Sequence, residues 1–291
     1  MKWNLFFPTV AIFLIITLLL GCSFLEDLGK LISFKKEKHW ELIWSDEFNG
    51  DSINLSNWNF DVGGNGWGNK ELQYYTKGSN VRVSNGNLII EARNEKFGIH
   101  DYTSARIKTQ GKHSWQYGKI EARIKLPYGQ GLWPAFWMLG ENIETVGHPD
   151  CGEIDIMEMV GSNEGEENAT IWSSLHWADH EKEGSNKTKS LKYSFKNSDG
   201  DWFSDDYHIF GIQWSADYIQ YYVDNHVFKT VTLSTRKNDG QEAFRKPFFI
   251  ILNLAVGGEW PNSPDKGTDW PQQMVVDWVR VYQSRSDGNA K

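Results

Sequence analysis

YGKIEARIKLP, residues 117–127, reads as a β-strand and as nothing else. Ile120, Ala122, Ile124 and Leu126 fall on one face; Lys119, Glu121, Arg123 and Lys125 fall on the other. Period two of this kind puts alternate side chains on opposite sides of a sheet. The same pattern recurs outward from it. VRVSNGNLIIEAR carries Asn85-Gly86 between two β-prone runs, a hairpin signal. HIFGIQWSADYIQYYVDNHVF reads as strand, turn near residues 215–217, strand, and a second turn at Asp224-Asn225. FFIILNLAVGG is apolar on both faces, as a central strand covered on both sides must be, and MVVDWVRVYQ supplies a further late strand. Helical periodicity is almost absent. Many short strands with frequent turns predict an all-β fold, a β-sandwich of two antiparallel sheets.

Composition narrows the partner. The net charge is −8, and Lys2 is the only charge in residues 1–21, so without them the balance is one unit more negative. That argues against nucleic acid, because polyanions need clustered Lys and Arg. The aromatic load is heavy: 15 Trp, 11 Tyr and 16 Phe, many beside Gly and polar residues as in GGNGWGNKELQYYT and GGEWPNSP. Tryptophan stacks on flat surfaces; the C–H face of a sugar ring is one, and a wet core edge is another.

The N-terminus reads as an export signal. Lys2, an apolar run from Leu5 to Leu20 and a small residue before Cys22 have that order. Leu19-Leu20-Gly21-Cys22 resembles the lipobox of bacterial lipoproteins, which implies cleavage before Cys22 and lipid on its thiol. A plain membrane helix is the alternative, since the apolar length is near the lower limit for spanning. Each buried CH₂ of an acyl chain adds about 0.8 kcal/mol, so several chains hold firmly. The reading is thus residues 1–21 as signal, 22–38 as spacer, 39–285 as one domain and 286–291 as a tail, exported and held on a bacterial membrane, the outer one in a two-membrane cell. Cys151 is then alone, no disulfide forms, and stability must come from a core that a chain of this length can build.

CGEIDIMEMVG, residues 151–161, places three acids among apolar residues. Glu153 and Asp155 share a strand face; Glu158 is out of step. One reading makes the first two solvated and leaves Glu158 in the following loop. The other inserts an extra residue as a β-bulge, which returns Glu158 to the face of its neighbours, a device found beside active sites. With the bulge, Glu153 and Glu158 lie about four strand steps, roughly 13 Å, apart at Cα. Side chains leaning together would bring the carboxyls to around 5–6 Å, the spacing of a retaining glycosidase.

GEIDIMEMVG after GLWPAFWMLG resembles the signature of glycoside hydrolase family 16, whose members share a curved jelly-roll sandwich with a substrate cleft on the concave face. WSDEFNG, NKELQYYT, YGKIEARIKLP, SSLHW, NLAVGGEWPNSPD and VDWVRVYQ are similar to its bacterial laminarinase branch, over nearly the whole chain after the signal. Met157 makes the pattern Glu-x-Asp-x-x-Glu, which resembles laminarinases, agarases and carrageenases rather than lichenases. The resemblance implies an endo-acting β-1,3-glucanase with Glu153 as nucleophile, Glu158 as acid then base, and Asp155 hydrogen-bonded to Glu153. Trp133 and Trp137 are implied as cleft walls, Trp260 as a donor-side platform, and Asn69, Arg106, His176 and, more weakly, Trp67 as sugar contacts. It implies no cofactor for catalysis, but a structural Ca²⁺ held by Glu47, the Gly86 carbonyl and Asp277, oxygen ligands such as calcium takes. A monomer is expected. Mixed-linkage glucan or agar as substrate, or a non-catalytic glucan-binding module, are the alternatives, because one architecture hosts many functions.

Overall fold

The computed structural model describes residues 39–180, 188–198 and 200–284; the signal, the spacer with Cys22, and the tail lie outside them. Residues Trp40–Gln283 form one compact unit. In chain order its strands are β1 (Trp40–Asp46), β2 (Asn59–Asp61), β3 (Gln73–Tyr75), β4 (Val81–Ser84), β5 (Asn87–Phe97) and β6 (His100–Ser104). Next come β7 (Arg106–Lys108), β8 (Gly118–Lys125), β9 (Leu132–Gly140), β10 (Glu153–Glu158), β11 (Thr170–Ala178) and β12 (Thr188–Lys196). The last are β13 (His208–Trp214), β14 (Tyr218–Val223), β15 (His226–Thr232), β16 (Phe248–Val256) and β17 (Gln272–Ser284). Among the described residues one short α-helix, α1 (Ile143–Val146), follows β9.

The strands form two packed sheets. One runs β15-β14-β13-β8-β17-β5-β6-β3, with β1 on β17 and β4 on β5. The other runs β12-β11-β10-β9-β16-β7-β2. Along these two paths every pairing is antiparallel except that between β3 and β6. The alternating stretch at 117–127 becomes β8, with Ile120, Ala122 and Ile124 fully buried between the sheets. Asn85 (φ 52°) and Gly86 (φ 72°) make the two-residue turn joining β4 to β5, the left-handed pair a tight hairpin requires. The turns at 215–217 and 224–225 separate β13, β14 and β15 as their turn residues imply.

All nine residues of β16 are buried. Ile250, Leu252 and Leu254 join the main core with Phe136, Met138, Ile154, Val279 and Val281. Each such side chain contributes about 1.5–3 kcal/mol by leaving water. The opposite face of β16 and β9 carries a smaller cluster of Leu139, Phe249, Ile251 and Cys151, against which Ile143 and Trp137 pack. That second cluster fastens the loop after β9 onto the cleft face.

One expectation fails on β8. Glu121, placed on the polar face by its phase, is buried at 5 % exposure. Its carboxylate accepts from Tyr222 Oη (2.8 Å) and Lys119 Nζ (3.0 Å). Gly211 on β13 faces Glu121 across the ladder, and a Cβ there would meet the Tyr222 ring at 2.4 Å. The missing side chain is what lets the phenol cover the acid.

Candidate active site

The bulge is present in β10. Against β11, Asp155 pairs with Ser174 and Glu158 with Trp172, so three steps on one strand match two on the other. Against β9, Asp155 pairs with Trp137 and Met157 with Phe136. The extra residue lets Ile156 and Met157 both enter the core, at 2 % and 0 % exposure. Glu158 thereby returns to the face of Glu153 and Asp155.

A cleft of about 480 Å³ crosses this face, lined by all three acids with Asn69, Arg106, Trp133, Trp137 and His176. Trp67, Glu71, His148 and Asn253 line it too. Trp137 Nε1 donates to Asn253 Oδ1 (2.7 Å), which fixes the indole as a wall. The Arg106 guanidinium lies between Trp67 and Trp137, 5.2 and 4.6 Å from their ring centroids, with Asp61 Oδ2 2.9 Å from its Nε. Glu71 accepts from Gln73 Nε2 (2.7 Å) and Tyr75 Oη (3.2 Å), and burial raises its carboxyl above the usual range.

Around Glu158 the neighbours are aromatic. Trp133 Nε1 donates to Glu158 Oε1 at 3.0 Å. Trp260 stands edge-on to Trp133 and to Trp172, with Lys192 Nζ 3.2 Å from its ring centroid. Trp260 thus joins the rim beside the acid; it is not grouped with Asn69 and Arg106. Burial, then the charge of Glu153, pushes Glu158 up to about 7; Lys192 and the Trp133 hydrogen bond oppose the rise. Asp155, 3 % exposed, is raised well above the carboxylate range by burial and then by Glu153 and Glu158. Its Oδ2 is 3.2 Å from His176 Nε2, outside hydrogen-bond alignment. Burial lowers His176, which favours the neutral ring. Glu153, Asp155 and His176 bring polar atoms within 4.8 Å of one another.

His148, Glu71, Asn253, Trp172 and Lys192 are additions to the residues read from sequence. Asn253 had a signal, the single polar residue in an apolar strand. His148 had none, since it lies in an aperiodic loop. The candidate calcium residues sit on the other sheet. Glu47 takes a forked pair from Arg280 (2.9 and 2.7 Å), and Asp277 accepts from Arg123 (2.7 Å). As arranged, both carboxylates pair with guanidinium groups.

Residues 40–284 match the family model described as Beta-porphyranase A-D, GH16 domain. The chain belongs to the GH16 family. It is 41% identical to a beta-glucanase of Rhodothermus marinus, covering 92% of this chain and 93% of the relative. Identity is also 41% to a glucan endo-1,3-beta-glucosidase of Cryptopygus antarcticus, over 84% and 92% of the two chains. Among solved structures, the endo-beta-1,3-glucanase of Pyrococcus furiosus superposes with a TM-score of 0.77 at 44% identity, over 86% of this chain and 97% of that one. The two-sheet architecture of the GH16 domain is therefore the jelly roll that its sequence resembles.

Proposed function

We infer that this GH16 domain is a retaining endo-β-1,3-glucanase. The observation that carries the reading is the bulge, which sets Glu153 and Glu158 on one cleft wall with Glu158 raised to about 7. Glu153 attacks the anomeric carbon while Glu158 gives its proton to the departing oxygen, leaving a glycosyl ester. Water then attacks that carbon, its proton passing to Glu158, and Glu153 leaves as carboxylate. Loss of charge on Glu153 in the intermediate removes one cause of the raised Glu158, so the same group can serve as base. The chemistry uses carboxylates and water and needs no cofactor.

The glucan reading follows the relatives at 41–44% identity, all glucanases. The family model's own name is a porphyranase, so porphyran belongs in the test. Reducing-sugar release is measured from laminarin, barley mixed-linkage glucan, agarose and porphyran, with wild type beside Glu158→Gln. Laminarin activity that collapses in the variant is the expected result. Activity on a galactan alone keeps the mechanism and overturns the substrate; binding without release from any polymer makes the domain a recognition module.

Lipid attachment at Cys22 and export to a membrane surface are further parts of the proposal, supported by the Leu-Leu-Gly-Cys order and by the family match beginning only at residue 40; a monomer is proposed with them. Calcium rests on the resemblance alone and would require Glu47 and Asp277 to leave their arginines. An unfolding midpoint unmoved by a chelator sinks it.

A further inference from the structure

The loop between β9 and β10 is built to deliver one imidazole. Ile143 of α1 and Cys151 seat it on Leu139, Phe249 and Ile251. Gly147 N bonds Ile143 O, Cys151 N bonds Gly147 O, and Gly152 N bonds Pro149 O, at 2.8–3.0 Å. Gly147 and Gly152 take φ of 76° and 78°, the left-handed region, to turn the chain on either side. A Cβ on Gly152 would meet the Phe248 ring at 2.9 Å. The result puts His148 Nε2 2.8 Å from Glu153 Oε2.

Two histidines therefore face the nucleophile, unequally. His176, from β11, is 3.8 Å from Glu153 Oε1, beyond hydrogen-bond reach, and burial favours its neutral form. His148 is bonded to Oε2, and that bond, then the charges of Glu153 and Asp150, hold its imidazole above the usual histidine range against burial. The other groups facing this corner are Asp155 on β10 and Asp150 in the loop, the latter 3.1 Å from His180 Nε2.

We propose that His148 is a positioning residue for Glu153, an imidazolium that pairs with the nucleophile between turnovers and speeds its departure from the glycosyl-enzyme. The proposal rests on the double-displacement reading. With Oε2 held, Oε1 is the oxygen left to attack. As Oε1 bonds to the anomeric carbon, the bond to the leaving sugar breaks and Glu158's proton goes to that sugar's oxygen. The charge opposite His148 fades into a neutral ester. In the second half water bonds to the same carbon, its proton goes to Glu158, the ester bond breaks, and the charge returns opposite His148. His148 passes no proton to the sugar or to Glu153 in either step. Its interaction weakens along the first step and grows along the second, so it retards attack and accelerates release.

Dinitrophenolate release from 2,4-dinitrophenyl β-laminaribioside, followed by stopped flow with the full chain, separates the steps, because this leaving group needs no acid. His148→Ala is expected to give a burst with an attack rate about threefold faster than wild type, followed by turnover about tenfold slower. His148→Gln, which keeps a neutral N–H donor, should fall between. Burst amplitude counts the folded molecules, so misfolding is not read as slow chemistry. The gap between wild type and His148→Ala should close as pH rises and the imidazolium is lost. Attack and release slowed in parallel, or release as fast as wild type, overturns the role of His148. Wild type that turns over neither this glycoside nor laminarin instead overturns the glucanase reading, and this proposal with it.

Discussion

Glu158 owes its use as an acid to burial, since a solvated glutamate would be ionised at neutral pH. With the carboxyl at about 7, kcat/KM on laminarin should fall as pH rises through that value. Trp133→Phe removes the indole N–H that favours the ionised form, so the alkaline limb should move upward while the ring remains. The same displacement has a stability sign. The folded state holds this proton more tightly than the unfolded one, so the folded state loses ground as pH rises from the ordinary glutamate range through about 7. Glu158→Gln should therefore raise the unfolding midpoint, with a gain about 2 kcal/mol greater at pH 8 than at pH 5; an equal gain at both would refute the coupling. The three acids were legible from spacing and apolar flanks. The indole–carboxylate bond was not, because periodicity tells which face Trp133 is on and not what its nitrogen meets.

At the scale of elements the bulge is the decisive feature, and it can be tested by deletion. Removing Met157 shortens β10 to plain period two, so the acid now at 158 should stay on the cleft wall, opposite the same neighbours. Stability should drop by about 2–4 kcal/mol, because a fully buried methionine is lost. Inserting an alanine after Met157 should instead turn the acid toward the core and abolish laminarin hydrolysis. Gly86→Ala isolates the hairpin: an added Cβ has only Asn49 Oδ1 within 4 Å, at 3.8 Å, so the cost of about 1 kcal/mol is purely that of a left-handed backbone. Denaturant unfolding measures it, and cleft activity should persist. Strand order in this region could be read from alternation and turn residues. Glu121 could not: its burial depends on Tyr222 passing over Gly211 to reach an acid 101 residues earlier in the chain. His148 belongs with it, since a loop shaped by Gly147, Gly152 and a distant apolar cluster leaves no periodic trace.

The whole molecule divides its labour between two sheets. Both carry ion pairs, Arg280–Glu47 and Arg123–Asp277 on one and Arg106–Asp61 on the other, and the second also supplies the cleft. If Cys22 carries lipid, Cys22→Ser should shift laminarin activity from the membrane fraction to the soluble one, with kcat/KM retained. Among the described residues one thiol remains, Cys151, fully buried beneath the loop that carries His148, and burial pushes it up to about 11. A thiol so placed is a poor nucleophile. In a Cys22→Ser background, a cysteine introduced at exposed Asn65, two residues from cleft-lining Trp67, would then react with a maleimide fluorophore while Cys151 stays untouched, and the arrival of each oligosaccharide could be watched as a change in emission.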